Sequence, residues 1–373
     1  MDASEVLGEL KKISSDFSTQ TNERQKRREL DPEDFLRLKD AGFLMTGVPQ
    51  QQGGLWQGAA VSARQYAEFV RVIAHGDPCV ALVASMHPAV TTFFLGVEEV
   101  TDSPEAWLEQ RQWVIESAKT SWWGTVTSEP GSGGDILKTQ SVAELVDGGY
   151  VLSGDKHFGS GSGHTDYMVT TGRVEGSELP ELFYLQNKNV PWDGSTGCQL
   201  TVPWDGMGMS STQSHAFRFD RFPVTKAVST EILVRVAPVS AQISNMMFTG
   251  VILGVADNAL AFARTKLDGK IPEMRAFEQV EWTRCRNDLW LAEQAFQGAL
   301  RSVEREEADA HITATRCKIV CAELVEAGLA RMAKVVGGAS YSKAMPLAQW
   351  TEDVKALGFL RPPLPLAYDQ VMN

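Results

Sequence analysis

Two glycine-rich segments hold the residues best spaced for chemistry. The first, SEPGSGGD over Ser128–Asp135, directly follows the apolar run WWGTV. Gly131, Gly133 and Gly134 leave no Cβ in the way, so backbone N–H groups there can approach an anion closely. No Gly-Lys-Ser/Thr follows, so this is not a nucleotide-hydrolase phosphate loop. The second segment, GDKHFGSGSGHTDY over Gly154–Tyr167, spaces Gly159, Gly161 and Gly163 as G-x-G-x-G. It leads into the strand-like YMVTT, whereas a dinucleotide fingerprint opens a helix. Taken alone, each segment reads as a turn.

Of six histidines available for acid–base work, three are of interest: His87 in ALVASMHPAV, where a helix is expected to end at Pro88, His164 and His215. Cys317 and Cys321 lie four apart with His311 six residues before Cys317. A metal site needs more ligands at ordered spacing, so these cysteines read as core packing and no metal is expected.

The elements that must position these residues fall into three stretches. Residues 1–118 read as helical. Asp31-Pro32-Glu33-Asp34 is a strong helix start, with a capping Asp, Pro in the first turn and acids at the positive end of the dipole. Phe35, Leu38 and Phe43 follow at helical spacing, ending near Gly42. The basic run RQKRR over Arg24–Arg28 reads as a solvated helix face. Residues 119–228 change character: glycine is frequent and short alternating runs appear. SVAELVDGGYVLSGDK alternates on both sides of Asp147-Gly148-Gly149, a hairpin signal, and HAFRFDRFPV alternates as a half-buried strand does. From 229 to 373 the helical period returns, in a long buried helix and two more, the last stopped by Gly337-Gly338.

The chain has 373 residues, 43% hydrophobic, enough for two or three packed units and too apolar for a disordered chain. Its net charge of -12 argues against nucleic-acid binding, which depends on neutralising phosphates. No run approaches the ~20 uninterrupted apolar residues of a membrane helix, and the start MDASEVLGELKK does not resemble a secretory leader. Five cysteines, an odd number, do not form a disulfide framework and imply a reducing cytoplasm.

The order of these elements resembles the acyl-CoA dehydrogenase superfamily of flavoproteins. The resemblance rests on SEPGSGGD, then GDKHFGSGSGHTDY, then WDGMGMSSTQSHAFRFDRFPV, then VVGGASYSKAMP, with DAGFLMTGVPQQQGG upstream. It covers nearly the whole chain and implies a mainly α, α+β fold. An N-terminal helical domain (1–118), a middle β-barrel or sandwich (119–228) and a C-terminal four-helix bundle (229–373) would hold flavin between sheet and bundle. The family's Thr-Glu-Pro-Gly segment implies that Thr127 and Ser128 meet the flavin pyrimidine edge, with Gly133 and Gly134 in the same loop. Its Trp-x-Thr implies that Phe158 lies against the isoalloxazine and that the Ser160 hydroxyl sits near N5.

Three departures bear on function. Removing an α-proton from an acyl thioester needs a carboxylate. The resemblance puts that base at Ala348 or, in its other known location, at Ser244, and neither can serve. Glu352, one turn beyond Ala348, is the candidate displaced base. At the adenine half, the usual Arg-x-x-Phe-Gly and Gln are replaced by LDGKIPE (Leu267–Glu273) and Lys334. That leaves FAD by the family pattern or FMN by the missing contacts, with Lys334 able to pair with a phosphate and Gly337 and Gly338 beside it. In the tail, the usual Glu-Gly-Thr is replaced by Arg361-Pro362-Pro363, as in the flavin-dependent monooxygenase branch, some members of which place a His near Arg361.

The sequence therefore points to a flavin-dependent oxidoreductase that activates oxygen with reduced flavin. The alternatives are an acyl-CoA dehydrogenase or acyl-thioester oxidase using Glu352, and a non-catalytic flavoprotein. His87, His215 and Glu352 are the candidate catalytic residues. The implied partners are a small molecule (an acyl thioester, or an aromatic or heteroatom compound), a flavin reductase, and further copies in a homodimer or homotetramer. Neither nucleic acid nor membrane is expected.

Overall fold

The computed structural model describes residues 2–372. Six helices come first: α1 (Ala3–Thr19), α2 (Thr21–Arg24), α3 (Pro32–Asp40), α4 (Ala59–Gly76), α5 (Pro78–Leu95) and α6 (Pro104–Ala118). Seven strands follow: β1 (Trp123–Thr125), β2 (Val142–Val146), β3 (Gly149–Gly159), β4 (Tyr167–Gly172), β5 (Glu181–Gln186), β6 (Cys198–Val202) and β7 (His215–Lys226). Five helices complete the chain: α7 (Ile232–Leu267), α8 (Ala276–Glu304), α9 (Ala310–Val336), α10 (Leu347–Gly358) and α11 (Leu364–Met372).

Local chemistry accounts for several boundaries. The Asp31 carboxylate accepts the Glu33 N–H, and Pro32 occupies the first turn of α3. Val146 pairs with Gly149, so the β2–β3 hairpin turns through Asp147-Gly148, with Gly148 at φ 94°. Gly337, at φ 93°, ends α9.

The strands form one sheet in the order β1-β4-β5-β7-β3-β2, with β6 also paired to β7. β1 and β4 are parallel, and the other pairs are antiparallel. A small apolar core that includes Leu152, Phe183, Phe217 and Phe219 belongs to the sheet. A larger one is shared by the two helical stretches, where α7 packs against α4, α5 and α9.

Two sequence expectations need correction. Arg24 is not on a solvated face: its side chain is buried, donating to Asp77 at 2.7 Å and to both oxygens of Asp34, over the Phe17 ring at 3.7 Å. Two carboxylates distant in sequence turn a charge-run residue into a buried cross-link of α2, α3 and the start of α5. Second, α5 does not stop at Pro88 but continues to Leu95. Thr91 and Thr92 hydroxyls donate to the carbonyls of His87 and Pro88 there, and packing on all sides holds the helix past the missing N–H. By length and composition alone, α5 and α7 are apolar enough to cross a membrane. Yet 89% and 78% of their apolar windows are buried inside the protein, as in core helices.

Candidate functional site at the glycine loop

After β1 the chain runs through Val126 and Thr127 into the glycine loop. The His157 N–H donates to the Ser128 carbonyl at 2.7 Å, tying the loop to β3. The next side chain, Glu129, turns inward. It accepts from Lys156 Nζ and from the Gln140 N–H, both at 2.5 Å, and from the Ser141 N–H at 3.3 Å. Lys156 is fully buried and also donates to the Thr171 carbonyl at 2.7 Å. Burial pulls the Lys156 ammonium down to about 8 against the opposing pull of Glu129. Burial would raise the Glu129 carboxyl, but Lys156 and the loop's hydrogen bonds outweigh it and hold it below its ordinary value. This pair closes the loop's inner side and leaves the outer hydroxyls of Thr127 and Ser128 free of it.

Across from the loop, β3 slips register against β7 between Lys156–Phe217 and Gly159–His215. At the slip Phe158 stands at φ 58°, a left-handed conformation that costs an aromatic residue of the order of 1 kcal/mol or more. Its ring is 59% exposed, an uncommon state for phenylalanine, with an edge toward Trp204. Beside it the Ser160 hydroxyl is buried and hydrogen-bonded to Ser214 at 2.8 Å, which reaches Thr212 at 2.7 Å. A bulge that aims an aromatic face outward next to a hydroxyl relay is the kind of irregularity found beside ligands.

The helical side closes on the loop through the segment after α10. Lys318, fully buried on α9, donates to the carbonyls of Leu360 and, at 2.6 Å, Pro362. Burial alone pulls its ammonium down to about 7. Between those two carbonyls, Arg361 extends its guanidinium to the Ser128 hydroxyl, with Nη2 donating at 2.7 Å. Burial lowers Arg361 to about 10, opposed by Asp135 and Glu129. The Pro363 ring fills the space a side chain on Gly134 would need, so only glycine fits there.

Ser128, Phe158 and Ser160 thus share one neighbourhood with Arg361, which sequence reasoning did not place in the site. Its signal was a lone arginine before two prolines where the family carries Glu-Gly-Thr.

Of the other candidates, Gly133 is in the loop and His215 pairs with Gly159 beside it, and the rest lie elsewhere. His87 is fully buried, with Nε2 3.0 Å from the Leu44 carbonyl and Nδ1 accepting the Trp123 N–H at 3.3 Å. Burial drops it to about 4, so the ring is neutral and both nitrogens are occupied, which suits an internal strut and not a proton carrier. His215 accepts the Trp204 N–H at Nδ1 and packs against Trp192 and Phe217. Glu352 pairs with Lys355 at 2.9 Å on α10, with its side chain part-exposed. Its neighbour Asp353 is the buried carboxyl, raised to about 7 by burial while accepting from the Met209 N–H and Gln349. Lys334 is engaged by Glu281 at 3.0 Å. Gly337 caps α9 and Gly338 begins the next turn, and Gly133 faces open space. Among the described residues no cluster of three His, Cys, Asp or Glu side chains is arranged for a metal. A cavity of about 780 Å³ near Trp56, Glu98 and Arg111 includes neither the glycine loop nor Phe158, and the chemistry of the loop outweighs its size.

No family model matches the chain. The probable FMNH2-dependent monooxygenase SfnC of Pseudomonas putida is 26% identical over 69% of this chain and 61% of its own length. A provisional acyl-CoA dehydrogenase of Bacillus subtilis, YdbM, is 24% identical over 95% of this chain and 91% of its own. FMN-bound TdsC from Paenibacillus sp. A11-2 superposes with a TM-score of 0.79 at 17% identity, covering 99% of this chain and 96% of TdsC. The chain has the acyl-CoA dehydrogenase fold along its length. It matches less than two thirds of SfnC.

Proposed function

We propose that the protein is a flavin-dependent oxidoreductase that uses reduced FMN to activate oxygen for transfer to a small aromatic or heteroatom-bearing molecule. The residues fit such a group. An exposed aromatic face, Phe158, stands beside the hydroxyls of Ser160, Thr127 and Ser128 and the guanidinium of Arg361, donors suited to a flat heterocycle with an acceptor-rich edge. When bound, reduced flavin supplies the two electrons that oxygen requires. Phe158 would cover one ring face and exclude water, Thr127 and Ser128 would donate at the pyrimidine edge, and Ser160, oriented by Ser214, would place a proton near N5.

The observation that carries the oxygen-activating reading is the state of the carboxylates. Glu129 is locked to Lys156, Asp135 accepts the Leu137 N–H, and Glu352 is paired with Lys355. An arginine occupies the tail position that faces the loop. Acyl-thioester dehydrogenation needs a carboxylate base, which this arrangement does not offer. With Lys334 engaged and residues 268–273 exposed beyond the end of α7, FMN is favoured over FAD. The names of SfnC and TdsC point the same way. A separate flavin reductase, a homo-oligomer formed over exposed Phe277, Val280 and Trp290 of α8, and a cytoplasmic location for five free cysteines complete the reading.

The test is anaerobic spectroscopy followed by oxygen. Protein loaded with FMN keeps its visible absorbance when acyl-CoA esters are added, and with reduced FMN it consumes oxygen faster than free FMNH2 does in the presence of the acceptor. Catalytic bleaching by any acyl-CoA would overturn the reading.

A further inference from the structure

We propose that Arg361 is a flavin-binding residue that recognises the reduced, anionic cofactor at its pyrimidine edge. The proposal rests on the flavin reading above and adds a residue and a charge preference to it.

Three observations carry it. First, the guanidinium is fixed in place. Lys318 grips the carbonyls on either side of Arg361, Pro363 seats on Gly134, and Nη2 lies 2.7 Å from the Ser128 hydroxyl. Ser128 is the hydroxyl that the family resemblance assigns to the pyrimidine edge. Second, the cation is under-engaged. Among the described residues no carboxylate lies within ion-pair distance of Arg361, and its hydrogen bond to neutral Ser128 uses one of five donors. Asp135 and Glu129 pull on it only through space, since Glu129 is bound to Lys156 and Asp135 caps the Leu137 N–H. A part-buried guanidinium with spare planar donors is well suited to an oxygen- or nitrogen-edged anion. Third, the surroundings are cationic on balance. Lys156, Lys318 and Arg361 converge here against two carboxylates, Glu129, which is bound to Lys156, and Asp135, which forms no ion pair with Arg361.

The chemistry follows from where flavin keeps its charge. The oxidised ring is neutral. Two electrons and one proton, the proton going to N5, give the anion, whose charge is spread over N1 and the C2 carbonyl. A second proton at N1 neutralises it. A fixed cation beside that edge binds the anion more tightly than the oxidised ring and holds N1 deprotonated. The residue would thereby select the form of FMN that a reductase delivers and let the oxidised form go.

The test compares wild type with Arg361→Gln, Arg361→Lys and Ser128→Ala. Kd for oxidised FMN is read by fluorescence quenching, and the midpoint potential of bound FMN by anaerobic dithionite titration across pH 5.5–8. Arg361→Gln is expected to lose at least tenfold more affinity for reduced than for oxidised FMN, lowering the bound midpoint by about 30 mV or more. Arg361→Lys recovers part of the shift. Ser128→Ala weakens both forms alike and leaves the midpoint in place. The wild-type midpoint falls by one proton per two electrons, about 30 mV per pH unit, down to the acid end of the range. An unchanged affinity ratio in Arg361→Gln overturns the proposal and leaves the flavin reading standing. Should that variant fail to fold, a two-proton slope in wild type below pH 6.5 overturns it as well. If wild type binds no flavin, both readings fall together.

Discussion

Lys156 in the sheet and Lys318 in the helical bundle are both fully buried, and they support opposite sides of the same loop by different means. Lys156 meets a carboxylate, Glu129, plus one carbonyl. Lys318 meets carbonyls only, those of Leu360 and Pro362. The sheet side of the site is therefore charge-balanced, a pair in which each ion justifies the burial of the other. The bundle side is held by a charge with dipoles for company, and it responds to pH. Its excess positive charge is also what an anionic ligand would meet.

The sharpest way to break the contrast is to remove each lysine. Lys156→Met leaves Glu129 buried without its counterion and should cost about 3–5 kcal/mol in urea or thermal unfolding, with the Lys156→Met/Glu129→Gln double variant recovering much of it. Lys318→Met removes an uncompensated charge but orphans two carbonyls, for a net loss of about 1–2 kcal/mol at neutral pH. A loss as large as that of Lys156→Met would show that the two supports are not different in kind.

The pH dependence sharpens this further. The folded value of Lys318, about 7, lies below its ordinary 10.5, so between those limits the unfolded chain holds more protons. Stability from this group is complete above about 10.5 and is lost as pH falls toward 7. The gap between wild type and Lys318→Met should accordingly be wider at pH 9 than at pH 6.

Smaller effects are expected at two other positions. Phe158→Gly relieves the left-handed backbone and should stabilise the protein by about 1 kcal/mol while weakening FMN binding. Stabilisation with full FMN affinity would remove Phe158 from the site. Asp353 has the opposite sign to Lys318. Raised to about 7 from 3.8, it contributes stability that is complete below 3.8 and lost as pH rises through 7. Asp353→Asn should flatten that part of the melting profile by ~2 °C between pH 5 and 8.

Much of the framework was legible in the sequence because its signals are local. The capping Asp31, the Asp147-Gly148 turn and the alternation of HAFRFDRFPV each specify their own element. The Phe158-Gly159-Ser160 triplet could be placed through resemblance, although its backbone strain and exposure could not. What stayed hidden depends on approach between distant segments. Glu129 and Lys156 are 27 residues apart, Lys318 reaches residues more than 40 positions away, and Arg24 finds Asp77 across 53. His87 illustrates the same limit. A histidine in an apolar helix looks available for catalysis until the Leu44 carbonyl and Trp123 N–H are seen to occupy both nitrogens.

The contact between Arg361 and Ser128 closes a loop of 233 residues. A nascent chain emerging from the ribosome can complete the sheet and the helices as far as α9 before residue 361 appears. Its cofactor pocket would still lack one wall. Maturation of the site is thus tied to synthesis through residue 361, and fragments ending before Arg361 would carry the glycine loop and the aromatic face with no cation to discriminate between the forms of the cofactor.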